Sequence, residues 1–588
     1  MNGPGPESGE ADSTSHIDPR GVDSPRPLAE DPRLNTARIL PSWSNAQVAA
    51  ASELIGGPVG RHAAVGRSRR WTPVRVVFLM ALAVLALSWF GKAGCLQQAP
   101  APAKDGESSS GMRLNWDNQR QYYGLCYSDV IAMYSAQRLT VEDLRHGAMP
   151  YRTYWSGSDE AGEQGQKHYA DQPVLIGAFM YLVAKAAQGW QALIDGTPIP
   201  KQLDVVTFFN IAALLLTLFW LLAVWATMMT DRRRLWIGAT AAISPLVLFH
   251  GFTAFDVIPV ALVAVAMLCW ARDRVIATGV FAGLAAAAAL YPLLLIPALA
   301  VLCARDRRMN DFAAVVASAV IAWLALNLPV ILAYPHGWGE FYRTWWDRRP
   351  EADSLYHLIM TATGWSPPTT LFNALVLVLT AAVIAAAAYV ALRSPAPSSP
   401  QMFAQVMFLL VVGCLVFSKT WNPQSSLWLV PLAVLAIPHA RLLLAWMAVD
   451  ALVWVPRMGL FLDPSRKWLP EEWFYVTVAV RTVLLLVLCG LVVRDLLAKP
   501  VTPGSEPPLL EPDHGGVGPD GALSNGVLPA APGAGCSRCR WSRGRDVESA
   551  RIRSVTSGST WARSCVTGRL FGPLVLLVLL ARLGPARP

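Results

Sequence analysis

The chain has 588 residues, of which 54% are hydrophobic and 15% charged, with a formal net charge of +9. Soluble proteins carry roughly 25% charged residues, and apolar runs long enough to cross a bilayer recur here from Val74 to Val493. These numbers exclude a soluble globular protein and point to an all-α polytopic membrane protein. The positive balance does not argue for nucleic acid. Its arginines cluster in short loops between apolar runs, as the positive-inside bias requires.

Residues 1–70 are rich in Pro, Gly, Ser and Asp and predict a disordered cytoplasmic segment. "RHAAVGRSRRW" (61–71) precedes the first apolar run. That run lies too far along the chain, without a small-residue cleavage site, to be a cleaved signal peptide. It reads as a first anchor with its N-terminal side in the cytoplasm.

The membrane domain is expected over 71–498, with about twelve spans. They are placed at 74–94, 205–230, 235–251, 254–271, 275–289, 291–304, 312–334, 369–392, 402–418, 425–438, 441–458 and 474–494. "DRRR" (231–234), "RDR" (272–274), "RDRR" (305–308), Arg393, "HAR" (439–441) and Arg494 then share the cytoplasmic side. This requires that 173–190, with Pro173 and Lys185, lies along the interface. It also requires 275–304 to be a short hairpin turning at "LYP" (290–292). The remaining loops, 95–204, 250–256, 290–292, 335–368, 419–424 and 459–473, fall outside. They hold most of the Asp, Trp, Tyr and His.

The tail, 499–588, is expected to be disordered and cytoplasmic. Its apolar stretch "FGPLVLLVLLA" (571–581) is short for a span. Cys269, Cys303, Cys414 and Cys489 lie in apolar runs as core thiols. Cys95 and Cys126 flank the first outer loop, where a disulfide is permitted. Cys536 and Cys539 form a lone CxxC without the second ligand pair a metal site needs.

Five places could carry chemistry. "LCYSDV" (125–130) sets Asp129 in the first turn of an amphipathic helix begun near Ser128. A carboxylate is favoured there either as a working acid or simply as a cap. Asp256 in "FTAFDVIP" sits at the mouth of a span, where ionisable groups are costly; Asp171 precedes Pro173 and could be turn chemistry. In "YPHGWGEFYRTWWDRRPEADSLYHLI" (334–359), Trp338, Trp345 and Trp346 suit an interfacial belt or a sugar ring. Arg348 and Arg349 suit a phosphate. Lys419 either snorkels or contacts phosphate, with Gln424 nearby. The chain has no GxxxxGK[ST] loop, no HExxH and no nucleophile elbow. An activated substrate is therefore expected from within the membrane.

In order along the chain come "NWDNQRQYYGLCYSD", "PVLIG", "FDVIPVAL", "LYPLLL", "GWGEFYR", "DSLYHL" and "NPQSSLWLVPLAVLA". In that order the chain resembles actinobacterial membrane glycosyltransferases of the GT-C superfamily. The particular resemblance is to polyprenol-phosphate-mannose-dependent mannosyltransferases of glycosyltransferase family 87. The resemblance implies a bundle of about twelve helices with a large first outer loop and an active site on the extracytoplasmic face of the cell membrane. It implies a polyprenyl-phosphate sugar donor, a mannosyl one, and a glycolipid or glycan acceptor of the cell envelope. Asp129 matches the family's general base. The phosphate would be held by Lys419, Arg348 and Arg349, and the sugar or acceptor by Asp171, Asp256, Tyr291, Trp338, His357 and Gln424. No cofactor is committed to; a divalent cation at Asp256 and Asp171 stays open. The chain departs from the family at Asp171 and Gln172, where Glu-Tyr is usual, and at Ala289 and Ser418, where Lys and Asn are usual. A lipid-linked glycan flippase and a non-catalytic scaffold are the alternatives.

Overall fold

The computed structural model describes residues 72–101, 111–158, 164–198, 200–467 and 469–498. The expected disordered segments 1–70 and 499–588, with Cys536, Cys539 and 571–581, lie outside the described residues.

Every expected span coincides with an apolar helix, but the helices are of two kinds. Six are long and apolar enough to cross a membrane: Pro73–Leu96, Asp204–Thr230, Met309–Ala333, Thr369–Arg393, Ala440–Leu460 and Glu471–Leu497. The other six, Ile237–His250, Val257–Trp270, Val275–Ala286, Tyr291–Arg305, Pro400–Val416 and Pro423–Ala436, are shorter. At 1.5 Å per residue they reach roughly 18–26 Å, against a hydrocarbon core of about 30 Å. For two of them the reason is visible in their burial. Val257–Leu268 is buried on every side, as is Leu429–Ala436. A helix apolar all round and packed in protein is core. Its ends can turn inside the bundle because neighbouring protein satisfies the backbone.

We label the helices that build the site. α1 is Pro73–Ala93, α2 Arg120–Tyr123, α3 Asp129–Ala136, α4 Val174–Ile194, α5 Pro335–Asp347, α6 Thr369–Arg393, α7 Pro400–Val416 and α8 Trp454–Leu460. α4 buries one face, from Val174 through Ile176, Met180 and Val183 to Ala187, and exposes Leu182, Trp190 and Leu193. It is absent from the spanning helices, as its lysine and one-sided pattern predict. Two small hairpins, Gln98–Pro100 with Met112–Leu114 and Trp155–Ser158 with Gln164–His168, decorate the first long loop.

The six loops assigned to one side do converge. The Asp129 amide donates to the Thr253 carbonyl at 2.7 Å, and Gln424 reaches Asp129. The Glu351 amide donates to the Lys419 carbonyl at 2.9 Å, and the Asp463 amide to Gln119 at 2.9 Å. Tyr291 stacks on Trp428, which brings in the 290–292 turn. The arginine loops meet one another elsewhere. Arg308 pairs with Asp273 at 3.1 Å, and Arg305 donates to the carbonyls of Ala391 and Ala396.

Candidate active site

Asp129 is placed by its neighbours along the chain. Cys95, just past α1, forms a disulfide with Cys126. Lys92, buried at the end of α1, donates to the Tyr127 carbonyl at 2.8 Å. Ser128 is extended and makes no cap bond to α3; its hydroxyl donates to the Phe252 carbonyl at 2.7 Å. The first turn of α3 is thereby pinned to the 250–256 loop. The Asp129 carboxylate accepts from Gln424 Nε2 at 3.1 Å and from the Tyr127 hydroxyl. It is thus engaged across the fold by a residue far along the chain, rather than capping its own helix.

Burial raises the Asp129 pKa above its ordinary value. The Tyr127 hydrogen bond and the charges of Arg457, Lys92 and Arg348 oppose that shift without cancelling it. A carboxylate held above the usual range is a better proton acceptor when ionised.

Asp129 faces a cavity of about 1090 Å³. Its polar part includes Tyr127, Asp171, Asp256, Arg348, Gln424 and Arg457. Its apolar part includes Leu293, Val376, Leu377, Thr380 and Leu415, from the 291–294 turn, α6 and α7. Leu293 and Leu377 are each at least half exposed, so this part opens on the flank of the bundle. One space therefore joins a charged chamber to a greasy lateral groove.

The chamber's other walls are equally specific. Trp428 Nε1 donates to Asp256 at 2.7 Å, and Trp428 stacks on Tyr291 with centroids 4.3 Å apart. The Tyr291 hydroxyl is buried without a hydrogen-bond partner. Asp171 accepts from Gln137 at 2.7 Å and Gln172 at 3.1 Å. Tyr151 fixes that turn by donating to the Gln172 and Pro173 carbonyls. Glycine is required around it: a Cβ on Gly337 would lie 1.9 Å from the Tyr151 carbonyl oxygen, and one on Gly177 2.0 Å from its hydroxyl.

Seven of the sequence candidates line this cavity: Asp129, Asp171, Asp256, Tyr291, Trp345, Arg348 and Gln424. Lys419, Arg349, Trp338 and His357 lie outside it. Lys419 is fully buried away from it, donating to the Trp346 carbonyl at 2.8 Å and Asn373 Oδ1 at 2.5 Å, 4.9 Å from the Trp345 ring centroid. Its turn folds inward rather than toward the chamber, and burial lowers its pKa to about 8. Arg349 is exposed on the surface. Trp338 donates to Asn327 at 3.0 Å inside the α5 packing. His357 stacks on Tyr475, 6.2 Å between centroids.

The cation that sequence reasoning missed is Arg457 on α8. It lines the chamber, pairs with buried Asp353 at 2.6 Å and reaches Asn422 at 3.4 Å. Asp353 is held in turn by its own backbone: the Arg481 guanidinium donates to the Asp353 and Trp421 carbonyls. A signal existed, because an arginine inside the apolar run 441–458 is costly unless it works. Arg348 pairs with Glu351 at 3.0 Å. Among the described residues no three His, Cys, Asp or Glu side chains are grouped to hold a metal ion.

No curated protein matches the chain. Among solved structures, ArnT from Cupriavidus metallidurans, crystallised with undecaprenyl phosphate, is similar at 13% identity, over 71% of this chain and 77% of that one, with a TM-score of 0.33. That likeness is too loose to carry residues across. Residues 198–418 match the model of glycosyltransferase family 87. The match spans less than half of the chain; it contains Asp256, Tyr291 and Arg348, and stops short of Gln424 and Arg457.

Proposed function

We propose that the protein is a membrane glycosyltransferase that takes a sugar, mannose, from a polyprenyl-phosphate donor. The observation that carries this reading is the single cavity in which a lateral apolar groove meets a carboxylate and two arginines. The family match over 198–418 supports the same class of reaction. The polyprenyl chain lies in the groove past Leu293 and Leu377. Arg457 and Arg348 hold the phosphate, in place of Lys419. An acceptor hydroxyl loses its proton to Asp129 as its oxygen bonds to the anomeric carbon. The bond from that carbon to the phosphate oxygen breaks, its electron pair leaves with polyprenyl phosphate, and the configuration inverts. Charge builds on the leaving phosphate, so the fixed arginines act most strongly in the transition state. Asp256 and Tyr291 take hydroxyls of the transferred sugar. The chamber faces the cell exterior and both termini the cytoplasm, because the arginine loops gather away from the cavity.

The test is sugar transfer by protein reconstituted in lipid, with labelled polyprenyl-phosphate mannose and a cell-envelope glycolipid extract. Transfer by the wild type that Asp129→Asn loses supports the reading. Equal transfer by both removes Asp129 as base. Donor movement across the bilayer without transfer by either identifies a flippase instead, and neither activity leaves a scaffold.

A further inference from the structure

The mechanism uses one end of α3 and leaves the rest of that helix unexplained. Asp129, Ala132, Met133, Ala136 and Gln137 all line the cavity. Their spacing, i, i+3, i+4, i+7 and i+8, is one face of a helix. Asp129 to Gln137 is eight residues, roughly 12 Å along the axis at 1.5 Å each. The two alanines keep that wall low. Ala136 is exposed, so the far end reaches the surface.

Both ends of this wall present fixed hydrogen-bonding groups. At the near end Gln424 is buried; its Nε2 serves Asp129, while its Oε1 has no hydrogen-bond partner among the described residues. A buried amide oxygen left so is costly, and the group this end offers an incoming hydroxyl is the Asp129 carboxylate. At the far end Gln137, Asp171 and Gln172 are tied into one cluster, itself held by Tyr151 through the Gln172 carbonyl. An ionised carboxylate accepts up to about four hydrogen bonds and an amide NH₂ donates two. The cluster therefore keeps capacity for hydroxyls after its internal bonds are made. The lateral apolar groove is elsewhere, at Leu293 and Leu377.

We infer that this face of α3 is the acceptor track, and that the acceptor is a saccharide of at least two units: its attacking hydroxyl lies at Asp129 and Gln424, and its distal sugar at Gln137, Asp171 and Gln172. The inference rests on the glycosyltransferase reading and adds the class and minimum length of the acceptor. A lone monosaccharide or a simple lipid alcohol would leave the distal cluster to water.

Octyl glycosides carrying one, two and three α-linked mannose units test it, with labelled polyprenyl-phosphate mannose and lipid-reconstituted protein. In the wild type kcat/KM should rise about tenfold or more from the one-unit to the two-unit acceptor, the worth of hydrogen bonds to a charged cluster. Gln137→Ala should collapse that preference toward one, and Asp171→Asn should weaken it. A wild type without length preference overturns the inference, as does a Gln137→Ala variant that slows every acceptor by the same factor. Binding of mannose, mannobiose and mannotriose to the same protein, read by saturation-transfer NMR, separates this from failure of the parent reading. If no donor is consumed but binding grows with length and Gln137→Ala removes the growth, the track stands and the transferase falls. If binding is absent or indifferent to length, the track falls.

Discussion

Two buried polar corners of this protein look alike in sequence and differ in structure. Lys419 donates to the Trp346 carbonyl and to Asn373 and lies against the Trp345 ring. Its surroundings are filled by the protein itself. Around Asp129 the arrangement is left open: Gln424 Oε1 and the Tyr291 hydroxyl are buried without partners, and Arg457 borders empty space. A buried charge whose neighbours are complete holds the fold. The open corner is also the costlier, because unsatisfied buried polar groups destabilise the resting protein.

The largest test of that contrast is Asp129→Asn. Loss of a general base should lower turnover about 10²–10⁴-fold, while the protein folds normally. The stability sign follows from the raised pKa. Asp129 in the folded state favours its neutral form above the ordinary 3.8, so its contribution is present below that value and is lost as pH rises through the folded pKa. At pH 7 the ionised side chain is a burden, and Asp129→Asn should melt at or above the wild type. A lower melting temperature at pH 7 would make Asp129 part of the scaffold.

Next comes Arg457→Gln. It should reduce kcat/KM for the donor by about 10–100-fold, as loss of a hydrogen bond to a charged group predicts. It also strips buried Asp353 of its partner, an uncompensated charge worth about 3–5 kcal/mol of stability. Denaturation and donor kinetics read the two effects separately. An unchanged donor constant would return the phosphate to other cations.

Cys95→Ser opens a loop of sequence separation 31. The chain-entropy estimate is an upper bound of about 3–4 kcal/mol, seen as a lower melting temperature under oxidising conditions. Activity should fall with it, because Cys126 lies three residues before Asp129. The acid limb of the kcat/KM profile is a finer probe. It should sit above the usual carboxylate range, since burial outweighs Tyr127 and Arg457 at Asp129, and an acid limb near 4 would argue for a different base.

The smallest expected effect on activity is that of Lys419→Met. It should cost about 1–3 kcal/mol of stability by leaving Asn373 Oδ1 without its donor, with transfer per folded molecule changed less than about twofold. Abolished transfer in a stable Lys419→Met protein would erase the distinction between the two corners.

What the sequence determined by itself is the frame. Apolar runs, arginine loops and the one-sided helix at 174–194 follow from hydropathy over neighbouring residues, and local composition is enough to place them. The single acid in "LCYSDV" and the pair Cys95 and Cys126 were also legible, because a polar loop between apolar runs makes them conspicuous. Tertiary structure decided the rest. Two of the short apolar helices, at 257–268 and 429–436, are enclosed by protein, and enclosure is not a local property. Lys419 and Arg457 were equally plausible phosphate ligands as letters, one in an outer turn and one in an apolar run. Only the packing of α6 and α8 turned the first inward onto Asn373 and left the second facing the chamber. Gln424 reaches Asp129 across 295 residues of sequence, and no local periodicity carries information over that distance. The candidate site is assembled by such long-range contacts.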